Sequence, residues 1–249
     1  MAVHSLKDLP TELPTGLVLG AVAQRADVRD VLIYREAAAA PANDGPRRGY
    51  GADLTVDRLP AGAVVATSST RRKAQLLAIN SRLQVPDIRG NVLTRLQKVA
   101  GKPEVDATVL ALAGLSRLQY TVTPQGRLEG KGVPAGLLAR VLEIEVMLPC
   151  VGQGAIGIEI RQPDQRMEAI CAKLNHVWTF QCVTAERAFL AGMGGGCQSP
   201  VAAYARPAGE EIHLRAISFA SGPLRRAEAS RPAAAAAELG RALATQLKS

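Results

Sequence analysis

Apolar positions along the chain fall into short runs separated by glycines, prolines and segments of helical period. Met1-Ala-Val-His-Ser reads as the inside of a strand, and Leu17 to Ala23 as a second one. So short a segment cannot bury a core alone, which predicts that it belongs to a domain completed elsewhere in the chain. From Pro60 the pattern alternates. Ala63 to Ala66 predicts a short buried strand, Thr70 to Asn80 a helix with Ala74, Leu77 and Ser81 on one face, and Leu83 to Ile88 another strand. Asn91 suits the N-cap of a helix through Val99 that Gly101 stops, and Ala107 to Ala113 is an uninterrupted apolar strand. Such alternation implies a doubly wound sheet, whose ligands bind at the carboxyl ends of strands beside the following helix N-termini.

The character changes around Pro149. Val151 to Ile160 reads as a glycine-laced strand that could rejoin the first segment. After Gln162 the pattern predicts a separate small α+β unit. It has helices near Asp164 to Leu174 and Thr179 to Ala191, strands near Val201 to Ala205 and Ile212 to Phe219, and an Ala-rich helix from Ala233 to Lys248. Ala37 to Gly51, rich in Ala, Pro and Gly, carries no periodicity and reads as a loop. The expected division is residues 1–26 with 147–162 as the remainder of a first domain, 27–146 as a second, and 163–249 as a third.

Composition narrows the function classes. At 47% hydrophobic the chain can fill its cores, but aromatics are only 3%, which leaves little surface for stacking bases. The net charge of +8 favours a polyanionic partner: nucleic acid, an anionic membrane, or a ligand rich in carboxylates or phosphates. No run is long and apolar enough to predict a membrane span, and the first residues lack an export pattern, which predicts a cytoplasmic protein. Cys150, Cys171, Cys182 and Cys197 show no metal-ligand spacing, so neither zinc nor a disulfide framework is expected.

Where the arginines lie is the clearest chemical signal. Thr67-Ser68-Ser69-Thr70-Arg71-Arg72 follows a strand and opens a helix, so hydroxyls, free N–H groups and two guanidiniums meet at the positive end of a helix dipole. Ile88-Arg89-Gly90-Asn91 repeats the arrangement, with Arg95 one turn later and Arg117 after the next strand. Planar, permanently charged forks suit carboxylates. Taken singly, each arginine reads equally as a solvated helix-start residue. In His4-Ser5-Leu6-Lys7-Asp8-Leu9-Pro10, an ionised Asp8 beside Lys7 could stabilise a cation or hold an N–H donor, or it could merely cap a turn before Pro10; His4 reads as structural. Cys197, in Gly194-Gly-Gly-Cys-Gln-Ser-Pro200, has the most open setting of the four thiols, although a plain loop residue fits as well. Cys171 and Cys182 lie in helical segments and Cys150 follows a proline, where a small buried hydrophobe is the simplest reading.

These segments together resemble the porphobilinogen deaminase family. Ala2-Val-His-Ser-Leu-Lys-Asp-Leu-Pro is similar to its A-V-H-S-x-K-D-x-P, and Ala66-Thr-Ser-Ser-Thr-Arg-Arg-Lys-Ala-Gln to its G-T-S-S-x-R-R-x-A-Q. Ile88-Arg-Gly-Asn-Val-Leu-Thr-Arg-Leu, Ala113-Gly-Leu-Ser-Arg-Leu and Pro149-Cys-Val-Gly-Gln-Gly-Ala-Ile-Gly-Ile-Glu follow in the family's order, then Ala185-Glu-Arg-Ala-Phe-Leu and Gly195-Gly-Cys-Gln-Ser-Pro. The resemblance implies two doubly wound α/β domains of periplasmic-binding-protein type, the first incomplete, plus a small α+β C-terminal domain.

It also implies an activity. Cys197 would carry a dipyrromethane cofactor through a thioether, four porphobilinogens would add in turn with loss of ammonia, and hydrolysis would release the linear tetrapyrrole hydroxymethylbilane. Asp8 would be the catalytic carboxylate that holds pyrrole N–H groups. Lys7, Thr67, Ser68, Ser69, Arg71, Arg72, Arg89 and Arg95 would bind the cofactor, and Arg117 with Arg71, Arg89 and Arg95 the substrate's acetate and propionate groups. The family is expected to act as a cytoplasmic monomer without nucleic acid, membrane or metal.

Family chains are expected to begin several dozen residues earlier, so part of the first domain's sheet would be missing here and activity would depend on whether Met1 is the true start. Ala66 stands where the family has glycine, and Gly194 where glutamate is common. Competing readings are an inactive fragment, a non-catalytic anion-binding module of the periplasmic-binding type, and a nucleic-acid binder suggested by the charge. The clustering of basic residues at strand ends rather than along one stripe disfavours the last.

Overall fold

The computed structural model describes residues 1–37, 48–196 and 199–248. It divides into two compact units, Met1–Val28 with Leu148–Ser249, and Arg29–Met147. It is a mixed α/β structure throughout.

The first unit opens with β1 (Ala2–Ser5), a single 3-10 turn over Leu6–Asp8, and β2 (Leu17–Val22). The chain then builds the second unit. Its elements are β3 (Asp30–Arg35), β4 (Val65–Ala66), α1 (Thr70–Ile79), α2 (Val92–Gly101), β5 (Ala107–Ala111), α3 (Leu112–Arg117), β6 (Thr121–Val122), β7 (Leu128–Glu129) and β8 (Leu137–Leu142). Among the described residues the main sheet has the order β4-β5-β3-β8; β4 and β5 are parallel, and β3 runs antiparallel to both β5 and β8. Every residue of β3 is buried, as a central strand covered on both faces requires. Its side chains alternate between two cores: Leu32 and Tyr34 pack with Val65, Leu76 and Val109 on one face, Val31 and Ile33 with Leu96, Val99 and Leu110 on the other.

Several expectations need correction. The buried face of α1 carries Arg71, Arg72, Gln75 and Leu76, whereas Ser81 is exposed. Two arginines thus occupy the stripe that an apolar count would leave empty. Among the described residues Leu83 to Ile88 forms one bridge, Val64 with Gln84; the N–H of Thr67 donates to Pro86 O, and Pro86 itself has no N–H with which to continue a ladder. The apolar run from Ala107 stops being strand at Ala111, and Leu112 and Ala113 begin α3. Gly101 is the last residue of α2 rather than the residue after it. The apolar pattern leaves strands β3 and β8 unassigned. Of the loop expected over 37–51, residues 38–47 lie outside the described residues; around them the Ala37 N–H donates to Tyr50 O and the Tyr50 N–H to Arg35 O. Arg35 is 1% exposed, and its guanidinium donates to the carbonyls of Val99, Lys102 and Val105, which fastens the end of α2 to the sheet.

The chain returns to the first unit with β9 (Ile156–Arg161), which lies between β1 and β2 and is antiparallel to both. The glycine-laced strand expected over 151–160 is therefore half turn. Gly152 adopts φ +71°, and a Cβ there would sit 3.2 Å from the backbone of Leu6 and Lys7, so the turn can lie under the Leu6–Asp8 segment only as glycine. Next come α4 (Gln165–Leu174), α5 (Val177–Gly192), β10 (Val201–Ala208), β11 (Glu211–Ser218), β12 (Arg225–Pro232) and α6 (Ala236–Lys248). Strands β10, β11 and β12 form an antiparallel sheet in that order. One face packs against α5 and α6 through Phe189, Ile212, Leu214, Leu239 and Leu243. The sequence pattern hides β12 because Arg225-Arg-Ala-Glu-Ala-Ser-Arg-Pro is mostly polar, as an exposed edge strand commonly is; register pairs Glu228 with Arg215.

One buried carboxylate joins the two parts of the first unit. Glu186 on α5 is fully buried; Arg25, just beyond β2, donates to it through both terminal nitrogens at 2.6 and 3.0 Å. The N–H groups of Gly152 and Ala205 donate to the same carboxylate, each at 2.8 Å. Burial disfavours the charge on Arg25, but Glu186 more than offsets this and the Arg25 pKa is raised. Glu186→Ala would leave a buried guanidinium and two N–H groups without their acceptor. We expect a loss of about 3–5 kcal/mol in urea unfolding of the purified chain, against less than about 1 kcal/mol for Glu143→Ala, which removes the exposed ion pair of Glu143 with Arg29 at 2.9 Å.

Candidate functional site

In the second unit three helices start at one edge of the sheet. Strand β4 leads through Thr67-Ser68-Ser69 into α1, the extended segment to Ile88 leads through Arg89-Gly90-Asn91 into α2, and β5 leads directly into α3. Ser69 caps α1 by accepting from the Arg72 N–H, and Asn91 caps α2 by accepting from the Thr94 N–H at 2.9 Å, as both residue types favour. Ser68 holds the first two turns together: its hydroxyl donates to Ile88 O at 2.7 Å and accepts from the Ile88 N–H at 3.1 Å. Thr67 is buried, its hydroxyl accepting from the Ser69 N–H.

Arg71 and Arg72 are not solvated helix-start residues. They are 4% and 7% exposed, and both reach Asp30, the first residue of β3, at 2.9 and 2.7 Å; Arg72 also donates to Val109 O at 2.9 Å. Because β3 is antiparallel to β5, Asp30 lies opposite Ala111 at the same edge as the helix starts. Its burial pushes the carboxyl pKa upward, but the two guanidiniums overcome that penalty and bring it from 3.8 to about 2. Arg95 is half-buried and its Nε donates to Gly90 O; burial and then the charge of Arg72 lower its pKa. The edge therefore retains positive charge despite Asp30. Arg89 and Arg117 are exposed, and Lys98 donates to Arg89 O. Hydroxyls, two capped helix N-termini and several guanidiniums fit a ligand with multiple carboxylates, so the residues present suit an acidic pyrrole chain.

In the first unit Asp8 ends the 3-10 turn and is exposed, whereas Leu6 beside it is buried. Among the described residues the Asp8 carboxylate makes neither a hydrogen bond nor an ion pair, so it does not cap the turn. Lys7 is half-buried. His4, read as structural, meets Glu159 on β9 at 3.0 Å. Cys171 and Cys182 are buried, and burial followed by the nearby Glu186 charge pushes the Cys182 thiol up to about 12, which makes it a poor nucleophile. Cys150 is half-buried with Sγ 3.4 Å from Gln153 Oε1. Cys197 lies outside the described residues. Among the described residues no cluster of His, Cys, Asp or Glu could hold a metal ion, and no helix is long and apolar enough to cross a membrane.

Sequence reasoning assigns no role to Asp30, Arg25 or the Glu186–Arg187 pair. A usable signal exists for Asp30, a carboxylate opening the apolar run Val31 to Tyr34. For Glu186 and Arg187 the only signal is their place in the Ala185-Glu-Arg-Ala-Phe segment.

An α/β architecture with an arginine-bearing edge of this kind suits an anionic ligand. Comparison with known proteins is more specific. Residues 1–169 match the family model described as "Porphobilinogen deaminase, dipyromethane cofactor binding domain", and residues 180–249 match "Porphobilinogen deaminase, C-terminal domain". The chain is 40% identical over 224 residues to the porphobilinogen deaminase of Alkaliphilus metalliredigens, which covers 89% of this chain and 60% of that protein. It is 43% identical over 216 residues to that of Lysinibacillus sphaericus, covering 87% of the chain and 60% of the relative. With the protein of Listeria innocua the identity is 37% over all 249 residues, or 71% of the relative. The chain belongs to the porphobilinogen deaminase family, and it spans about 60% of the length of most of these relatives.

The depressed Asp30 pKa fixes a pH dependence. A carboxyl whose folded value lies below its unfolded value stabilises the fold above the unfolded value and loses that contribution as pH falls through the folded one. Asp30 should therefore contribute about 2 kcal/mol at neutral pH, declining between about pH 4 and 2. Urea midpoints across that range should fall less steeply for Asp30→Asn than for the unaltered chain. Parallel profiles would remove Asp30 as the source.

Proposed function

We propose that this chain acts as a porphobilinogen deaminase, a transferase that condenses four porphobilinogens head to tail with loss of ammonia and releases hydroxymethylbilane. The observation that carries this reading is the second unit's carboxylate-binding edge, whose charge survives the burial of Asp30, in a chain of this family. Arg71, Arg89, Arg95 and Arg117 are proposed to bind acetate and propionate groups, with Arg72, Thr67, Ser68, Ser69 and Lys7 completing the cofactor contacts. Dipyrromethane, once attached to Cys197, supplies a terminal pyrrole carbon nucleophilic enough to accept each incoming unit.

Asp8 is proposed as the catalytic carboxylate. Its exposed oxygens, unengaged within the described residues, can accept pyrrole N–H groups and stabilise the positive charge that develops as ammonia leaves. At about 4 Å and an effective dielectric of 20 such a pairing supplies roughly 4 kcal/mol, a rate effect of several hundredfold or more. Assigning the tether to Cys197 is supported by the burial of Cys171 and Cys182 and by the raised pKa of the latter. We assign residues 1–26 with 147–162, 27–146 and 163–249 to three domains, the first two of periplasmic-binding-protein type, and place the protein in the cytoplasm as a monomer that binds neither nucleic acid nor membrane.

Intact mass spectrometry tests the tether. The purified chain should carry the mass of dipyrromethane and Cys197→Ser should not; equal masses apart from the substitution would leave a non-catalytic anion-binding module as the better reading. Asp8→Asn should keep its fold by circular dichroism and lose porphobilinogen turnover by at least about a hundredfold, and undiminished turnover would remove Asp8 from the mechanism.

A further inference from the structure

The turn that presents Asp8 is short, and the segment after it has no regular structure of its own. Beyond Leu6–Asp8 the backbone runs through Leu9, Pro10, Thr11, Glu12, Leu13 and Pro14 before β2 begins at Leu17. Carbonyls in such a segment need donors from elsewhere, and Pro10 brings no N–H of its own. One side chain provides them. Arg187 on α5 donates to three consecutive carbonyls: Leu9 O at 3.1 Å, Pro10 O at 2.6 Å and Thr11 O at 3.2 Å. A planar fork can hold three acceptors in one fixed arrangement; a lysine ammonium at the same place could not reproduce it.

The base of this clamp is fixed. Glu186, the preceding residue, is bolted to Arg25 and to the N–H groups of Gly152 and Ala205. Adjacent residues of α5 therefore grip the chain on both sides of β2, Arg187 before it and Glu186 after it. The C-terminal end of α5 leads into the glycine run ahead of Cys197. There the Gly194 N–H donates to Ala191 O and the Gly195 N–H to Leu190 O, so the run starts fastened to the last turn of the helix. A Cβ built on Gly195 would lie 3.5 Å from Thr11 Oγ1. The segment after Asp8 and the segment before Cys197 are thus held by one helix and lie close together. With its donors committed to carbonyls, Arg187 is not available in this arrangement as a carboxylate binder like Arg89.

We infer that Arg187 is a positioning residue, which clamps the Leu9–Thr11 backbone to α5 so that Asp8 is held in register with the glycine segment leading to Cys197. This rests on the role proposed above for Asp8. A loosened clamp would leave the Asp8 carboxylate chemically intact but displaced, and misplacement by about 1 Å costs on the order of a hundredfold in rate.

The test compares the unaltered full chain with Arg187→Met and Arg187→Lys. Hydrogen exchange followed by mass spectrometry should show amides of residues 6–13 exchanging at least about tenfold faster in Arg187→Met, with β9 and β11 unchanged. Turnover per dipyrromethane-loaded molecule should fall roughly 30-fold at nearly constant KM, and Arg187→Lys should recover part of it. Unchanged exchange over residues 6–13 overturns the clamp, as does faster exchange spread evenly over the unit, which marks a merely structural loss. Full turnover per loaded molecule despite local loosening overturns the coupling to Asp8. Should the unaltered chain carry no dipyrromethane or turn nothing over, the proposed function fails, and the exchange pattern alone decides whether Arg187 holds the turn.

Discussion

A carboxylate taken fully out of water is tolerated only when hydrogen-bond donors or opposite charges compensate it, and this single requirement organises both units. Glu186 meets it with two guanidinium nitrogens of Arg25 and two backbone N–H groups. Those four donors come from the end of β2, the turn before β9 and strand β10, segments that no local propensity would bring together. An apolar contact of the same area would tolerate sliding by an ångström; a bidentate ion pair with two backbone donors does not. The cost of burying the charge is thus met by geometry, and the geometry fixes where α5 lies relative to the Leu6–Asp8 turn.

Asp30 applies the same rule in the second unit to a different end. Two guanidiniums face one carboxylate, so the cluster keeps a surplus positive charge, and the Arg95 pKa is lowered by its own burial first and by the charge of Arg72 second. A lone pair of buried arginines would be prohibitively costly to desolvate, and an arginine matched one-to-one with a carboxylate would offer an incoming anion little. Two-to-one is the ratio that anchors the side chains while leaving charge for a ligand. Helix N-termini capped by Ser69 and Asn91 at the same edge add fixed dipoles of the same sign.

The elements with strong local signals are legible in the sequence. Asn91 caps the helix assigned to it, the Thr70 helix ends within one residue of expectation, and the strand over Glu211–Ser218 stands out because aliphatic and polar residues alternate along most of it. The elements that escape a reading of the pattern depend on partners distant in sequence. β12 is polar because it lies at a sheet edge, β3 is obscured by the low-complexity stretch beside it, and Leu83 to Ile88 has the pattern of a strand although Pro86 removes the donor its ladder needs. The face of α1 misleads for the same reason. Charged residues count as outward in any periodicity argument, yet Arg71 and Arg72 point inward because Asp30, some forty residues earlier in the chain, awaits them. The arginines, serines and Asp8 of the candidate site can be named from motif position, whereas the residues that hold them, Asp30, Glu186 and Arg187, have roles that exist only once the chain is folded.

That asymmetry has a physical basis. A group that meets a ligand must have a particular chemistry at a particular point, so its identity is constrained locally and leaves a local mark in the sequence. A group that holds another in place is constrained by distance and direction to a remote backbone, and many sequence contexts satisfy that equally. Arg187 shows the difference clearly: its neighbours Ala185, Glu186 and Phe189 face a packed interior, and nothing in that pattern announces that its guanidinium will find three carbonyls at residues 9 to 11. The exposed Asp8 has the opposite character, with no partner among the described residues to explain it and a turn beneath it whose Leu6 N–H donates to Ala155 O. On the role proposed for Asp8, a polar group left unengaged on a turn so fastened is the arrangement that preorganisation would require, because Leu6, Gly152 and the helix behind them would already have met the energy of holding it there.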